Sequence, residues 1–190
     1  METGPLRAPL GEFAVTAAVK PNFGPSGPPW GDMALLNALL SHKFVAGLTD
    51  AQLDTLRALA REVTFEENQL VLVTGQQSKA FYLLLEGSVC VEARTRAYTM
   101  SIQALGPGEA FGWSALLDQH DTLFQVRARE QCTALCLDGA DLNAALRADP
   151  ELGIEMLRRA LKLVAGRVQA TEAMLGQLCG MRFPPPPPRF

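Results

Sequence analysis

The chain has 190 residues, 48% hydrophobic and 19% charged, the balance of one folded domain with a sizeable core rather than of a disordered chain or two large domains. With 17 Lys+Arg against 20 Asp+Glu and a formal charge of −3, it has no general attraction for a phosphate backbone. No apolar run reaches the roughly 18 residues needed to span a bilayer, and the opening segment lacks the charged-then-apolar order of a secretory signal. No membrane association and a cytoplasmic location are expected.

Proline placement divides the chain. Pro5, Pro9, Pro21, Pro25, Pro28 and Pro29 crowd the beginning, Pro184 to Pro188 form one run near the end, and only Pro107 and Pro150 lie between. Residues 1–31, with Gly24, Gly27 and Gly31 among the prolines, read as an extended or disordered segment. Residues 179–190 read as a polyproline tail, a short polyproline II rod serving as spacer or docking on an aromatic groove.

Between these ends the periodicity changes twice. Residues 32–41 predict a short helix capped by Asp32. Thr49 caps a second, with Leu53, Leu56, Leu59 and Ala60 at helical spacing. Short β-prone runs follow at 63–65, 70–73, 80–85, 88–93, 98–105, 123–128 and 132–137, punctuated by Gly75, Gly87 and Gly108. Closely spaced strands without a long helix between them predict an antiparallel sandwich or small barrel. Asp138 opens another helical stretch, and Pro150, suited to a first helical turn, starts the last one.

That last helix, 150–178, would be about 43 Å long at the usual rise per residue. Ile154, Leu157, Leu161, Val164, Val168, Thr171, Leu175 and Leu178 alternate spacings of three and four, the pattern of a coiled-coil seam. Such a helix overhangs a small β-roll and would expose part of this stripe in a monomer, so a symmetric homodimer through 150–178 is expected over packing on its own domain. Gly166 lies off the seam, where close approach of two backbones is an option.

The reactive residue types are sparse. Cys90, Cys132, Cys136 and Cys179 are too scattered for a disulfide framework. On one strand Cys132 and Cys136 would stand about 13 Å apart at roughly 3.3 Å per residue, beyond the reach of about 7 Å that a disulfide allows, so they read as buried core thiols. The histidines, His42 and His120, are far apart. That argues against a metal site and against a cupin-type enzyme, and the chain is read as non-catalytic.

Three residue clusters in order then carry a resemblance. Phe44, Gly47 and Leu48 precede Leu53 and Leu56; Gly75 precedes Phe81-Tyr82-Leu83-Leu84-Leu85-Glu86-Gly87-Ser88-Val89; and Gly106-Pro107-Gly108-Glu109-Ala110-Phe111-Gly112 follows. With the long helix behind them, residues 44–178 resemble the cyclic-nucleotide-binding domain of the Crp/Fnr, or catabolite activator protein, type. The resemblance implies a mainly β fold with flanking helices: an antiparallel double-stranded β-helix, or jelly roll, over 32–149 that ends in a long C-terminal helix. It also implies a regulatory domain in signal transduction, with cAMP, cGMP or another small ligand as the candidate effector and no certain cofactor.

The candidate ligand-binding cassette is Gly108, Glu109, Phe111, Gly112, Trp113, Ser114, Ala115, Thr122 and Leu123. Gly87 suits a hairpin turn needing φ > 0. Gly108 and Gly112 flank a strand-to-helix passage where N–H groups of a short helix over 113–117 either receive an anion or simply make tight turns. The chain then departs from the family pattern. Trp113 stands where the family places a carboxylate for the ribose, and 118–124 reads Asp-Gln-His-Asp-Thr-Leu-Phe, with no arginine where the family pairs one with the cyclic phosphate. Arg127 and Arg129, alternating with Val126 and Ala128, suggest a solvated strand face instead.

Losing one partner of a buried charge pair costs about 3–5 kcal/mol, roughly a hundredfold to a few thousandfold in affinity. Asp118 and Asp121 worsen the field, and Ser114 and Thr122 do not replace a guanidinium. Weak or absent cyclic nucleotide binding is therefore expected. Trp113 would either stack on a ligand or plug the pocket; His120 is either a pH sensor or a plain loop residue. Two readings stand: a sensor whose ligand shifts the last helix, and a ligand-independent interaction and dimerisation module. An iron–sulfur redox sensor is disfavoured, since no cysteine precedes Cys90. After Leu178 no recognition helix fits, so no sequence-specific DNA binding by this chain alone is expected; the protein partner is unidentified.

Overall fold

A computed structural model describes residues 32–76, 78–94, 98–117 and 124–180. The disorder expected of 1–31, the proline run, and the cassette residues Thr122 and Leu123 lie outside them.

Both opening helices form, α1 over Asp32–Ser41 and α2 over Asp50–Leu59. Thr49 starts α2 through a reciprocal cap: its Oγ1 accepts from the Gln52 N–H at 3.3 Å, and the Gln52 side chain accepts from the Thr49 N–H at 3.1 Å, satisfying two donors that a helix start otherwise leaves free. Ala60 departs from expectation. It lies on the apolar stripe of α2, yet its backbone is already extended (φ −73°, ψ 137°) and pairs with Leu137, so it opens β1.

The strands are β1 Ala60–Phe65, β2 Leu70–Leu72, β3 Ala80–Glu86, β4 Val89–Arg94, β5 Thr99–Leu105, β6 Ala110–Phe111, β7 Phe124–Ala128 and β8 Cys132–Asp138. All pair antiparallel, in two four-stranded sheets ordered β1-β8-β3-β6 and β2-β7-β4-β5. β6 is the strand not foreseen; two residues are too few for a period to register. Between β3 and β4, Gly87 has φ +75°, and a Cβ there would stand 2.5 Å from the Gln131 carbonyl oxygen. Both the conformation and the space exclude a side chain.

The alternation of side chains along β3 and β8 builds two cores. Tyr82, Leu84, Cys132, Ala134 and Cys136 point into the roll with Val63, Phe65, Val89, Val91 and Val126. Phe81, Leu83, Leu135 and Leu137 point the other way, into a second cluster with Leu53 and Leu56 of α2 and with the two final helices. Those are α3, Gly139–Ala148, and α4, Pro150–Leu178. Asp138 caps α3 and Asp149 caps α4, each carboxylate accepting two N–H groups of the first turn.

The protein is thus mainly antiparallel β with flanking helices, a jelly-roll-like β-roll ending in a long helix. On α4, Leu152, Met156 and Ala160 are buried and Leu163 packs beside them. The predicted seam turns the other way: Leu161 is 68% and Leu178 65% exposed, and Ile154, Leu157, Val168 and Leu175 are also exposed.

Candidate functional site

The predicted cassette begins at the short edge strand. Tyr82 and Phe111, paired in register across β3 and β6, stack with ring centres 4.9 Å apart. The chain then reverses at Gly112 (φ +82°), where a Cβ would lie 2.5 Å from the Ala80 carbonyl oxygen, so only glycine permits the approach. A single 3-10 turn follows over Trp113–Leu116. It is fixed from behind by α3, whose Asn143 amide donates to the Ala115 carbonyl at 2.8 Å.

Above this turn is a cavity of about 30 Å³ lined by Leu72, Val91, Phe111, Gly112, Trp113, Ser114, Phe124, Val126 and Arg167. That volume holds a water molecule or two, not a nucleotide. Four predicted residues therefore meet at the site: Phe111, Gly112, Trp113 and Ser114. Three do not. Gly108 forms a turn whose N–H donates to the Leu84 carbonyl at 2.9 Å. Glu109 spends its carboxylate on the Gly106 N–H at 2.7 Å, closing that exposed turn. Ala115 is buried and turned towards α3. Trp113 both lines the cavity and packs against the helix-side core, so its indole is held in place rather than swinging free.

Neither later arginine reaches the cavity. Phe124 and Val126 of β7 line it, which turns Gln125 and Arg127 to the outside of the sheet. There the expectation of a solvated face needs correcting for Arg127. Its Nε lies 3.3 Å from Glu92, its Nη1 donates to the Asn68 carbonyl at 2.9 Å, and buried Gln125 donates to the same Glu92 oxygen at 2.7 Å. This network anchors the sheet surface; Arg129 is exposed.

Sequence reasoning missed the wall residues Leu72, Val91 and Val126 as site residues, and above all Arg167. The guanidinium of Arg167 is the charged group among the described lining residues. Burial pulls its pKa down, opposed by Cys90 and by the carboxylate of Glu109, and its Nη1 is buried with no hydrogen-bond partner among the described residues. A signal was present: on α4 the inward stripe 152, 156, 160, 163 continues at 167 with a cation.

The other titratable groups are structural. His42 is buried; its Nδ1 accepts from the Phe44 N–H, leaving Nε2–H to donate to the Leu84 carbonyl, both at 3.2 Å. Burial holds its pKa below the ordinary histidine value, so the ring stays neutral. Cys132 and Cys136 are free buried thiols, as expected, and burial pushes both up to about 11, so neither is a thiolate nucleophile at neutral pH. No cluster of metal-ligating side chains occurs among the described residues. No helix among them is long and apolar enough to cross a membrane.

Comparison with known proteins agrees with this architecture. Residues 62–149 match the family model described as the cyclic nucleotide-binding domain. A Rhodopseudomonas palustris protein described as a candidate potassium channel is 29% identical over 120 residues, 63% of this chain but only 28% of that protein. Among solved structures, the Thermus thermophilus catabolite activator protein aligns with a TM-score of 0.59 at 23% identity, covering 72% of this chain and 63% of that one. The regulatory subunit of a cAMP-independent protein kinase A from Trypanosoma cruzi, bound to guanosine, aligns at 0.57 and 17% identity, covering 71% and 50%. The chain therefore shares the fold of these cyclic nucleotide-binding and Crp-type proteins.

Proposed function

We propose that the protein is a non-catalytic regulatory module, acting in the cytoplasm, whose cassette binds cAMP and cGMP weakly or not at all by the family's usual route. The observation that carries this reading is the cavity lining. The 3-10 turn presents Trp113 and Ser114 to the cavity, with no carboxylate among the described lining residues and no guanidinium from the strands. A phosphate there would lack its bidentate partner on the cassette side. The guanosine held by the Trypanosoma cruzi neighbour, a nucleoside without phosphate, supports the idea that this fold serves effectors other than cAMP.

The module works as a homodimer through α4. The exposed stripe Ile154, Leu157, Leu161, Val168, Leu175 and Leu178 supports this, since apolar side chains at seam spacing gain most by packing against a second copy. The ligand-independent reading, in which the dimer surface alone is the function, draws on the small volume of the cavity.

Titration with cAMP and cGMP, followed by thermal melting of the full chain, tests the proposal. Ligand at 100 times its Kd stabilises by about 2.7 kcal/mol. A flat response at millimolar nucleotide is expected, and a shift at micromolar concentration overturns it.

A further inference from the structure

We propose that Arg167 of α4 is the charge partner of the cavity's ligand, and that this ligand is a small anion with an apolar or aromatic body. The inference rests on the regulatory reading above and adds the ligand's chemistry.

The cavity wall is apolar on nearly every side: Leu72, Val91, Phe111, Trp113, Phe124 and Val126. Among the described lining residues its polar features are the Gly112 backbone, the Ser114 side chain and the Arg167 guanidinium. A guanidinium always carries its charge at neutral pH, and natural structures rarely bury such a donor unpaired. Here Nη1 is buried with nothing to donate to, and no ion pair of Arg167 occurs among the described residues. An acceptor entering beside Nη1 removes that desolvation cost. The apolar walls meanwhile strengthen the attraction by lowering the local dielectric. A flat apolar body would lie against Trp113 and Phe111, an acid group against Arg167. The positive charge missing from the strands is thus supplied by the helix.

The ligand also needs room, and α4 can give it. The helix is anchored to the core by Leu152, Met156, Ala160 and Leu163 in its first half. Beyond them Val168, Leu175 and Leu178 are exposed. Past Leu163 the inward side of α4 carries Arg167, and the next buried residue is the small Gly176, so few large apolar contacts oppose a displacement there. An anion bridging the cassette turn and Arg167 binds the seated and lifted arrangements differently, which is what a switch requires.

The test uses the full chain and its variants Arg167→Gln and Arg167→Lys, titrated by calorimetry with cAMP, indole-3-acetate, inorganic phosphate and, as uncharged comparison, guanosine. The expected result is that indole-3-acetate binds in the millimolar range or tighter, while cAMP stays weak. Arg167→Gln should then weaken that anion at least tenfold, Arg167→Lys should restore part of the loss, and guanosine should bind both proteins alike. The two organic anions separate a nucleotide from an aromatic carboxylate. An unchanged Kd in Arg167→Gln overturns the proposal, as does the absence of heat from every anionic probe at 10-fold the millimolar range. The cAMP affinity of the unaltered protein judges the regulatory reading, whereas the ratio between it and Arg167→Gln judges this one, so the two fail separately. Circular dichroism melts of each variant confirm that it is folded.

Discussion

The two faces of α4 were made by one sequence for different neighbours. The inward stripe, Leu152, Met156 and Ala160, is sealed against the helix-side core, and Arg159 adds a hydrogen bond to the Phe44 carbonyl. The outward stripe is equally apolar in composition, yet it stands in solvent. Residue type alone does not tell the faces apart; what distinguishes them is spacing. The inward residues 152, 156, 160 and 163 step by four, four and three, matching the face that one straight helix lays on the core. The outward ones alternate three and four across the full length, matching a second helix. The difference teaches that the first stripe holds the domain together and the second is available for assembly.

The sharpest way to break this contrast is Met156→Ala. A fully buried methionine leaves a cavity when truncated, and a loss of about 2–5 kcal/mol in denaturant unfolding is expected. On the opposite face Leu161→Glu should change unfolding stability of the monomer by less than about 0.5 kcal/mol while converting a sedimenting dimer to monomer. If the unaltered chain already sediments as a monomer, the seam has no partner copy.

Mild acid acts on the core side through His42, which hydrogen-bonds the Phe44 N–H and the Leu84 carbonyl. His42 is neutral in the fold because burial holds its pKa below the ordinary histidine value of about 6.5, so the unfolded chain binds the proton more readily. Stability is complete above about pH 6.5 and falls as the pH drops through 6.5 towards the lower folded value, with a slope of at most about 1.4 kcal/mol per pH unit. His42→Gln should flatten that part of the pH–stability curve. The smallest effect concerns Gly166, where an added Cβ meets nothing within 4 Å in a single chain. Gly166→Ala should raise the melting stability by about 1 kcal/mol through helix propensity. A weakened dimer instead would place Gly166 in the helix–helix contact.

Much of this architecture could be read from residue order. Thr49, Asp138 and Pro150 mark helix starts because each has a chemical job there, and Gly87 marks its hairpin because no other residue fits. Ala60 misleads because alanine suits either period, and β6 is missed because two residues cannot show one. At the site, Phe111, Gly112, Trp113 and Ser114 were legible through the family resemblance, with a turn argument of its own for Gly112 alone. Glu109 was not, since a carboxylate that closes its own turn looks the same in sequence as one awaiting a ligand. Arg167 was hidden for a deeper reason: it reaches the cavity from a helix more than fifty positions downstream of Trp113, a proximity only the folded chain creates.

The grip of α3 on the 3-10 turn has a mechanical consequence. Asn143 holds the Ala115 carbonyl at one point of α3, while further along the Leu146 carbonyl presses so closely on Gly153 of α4 that a methyl group there would stand 2.8 Å away. Between these points lies barely one helical turn of stiff backbone. The single helix α3 thus touches both the turn beneath the cavity and the root of α4. The floor of the cavity and the start of the helix whose far end is exposed therefore share one support.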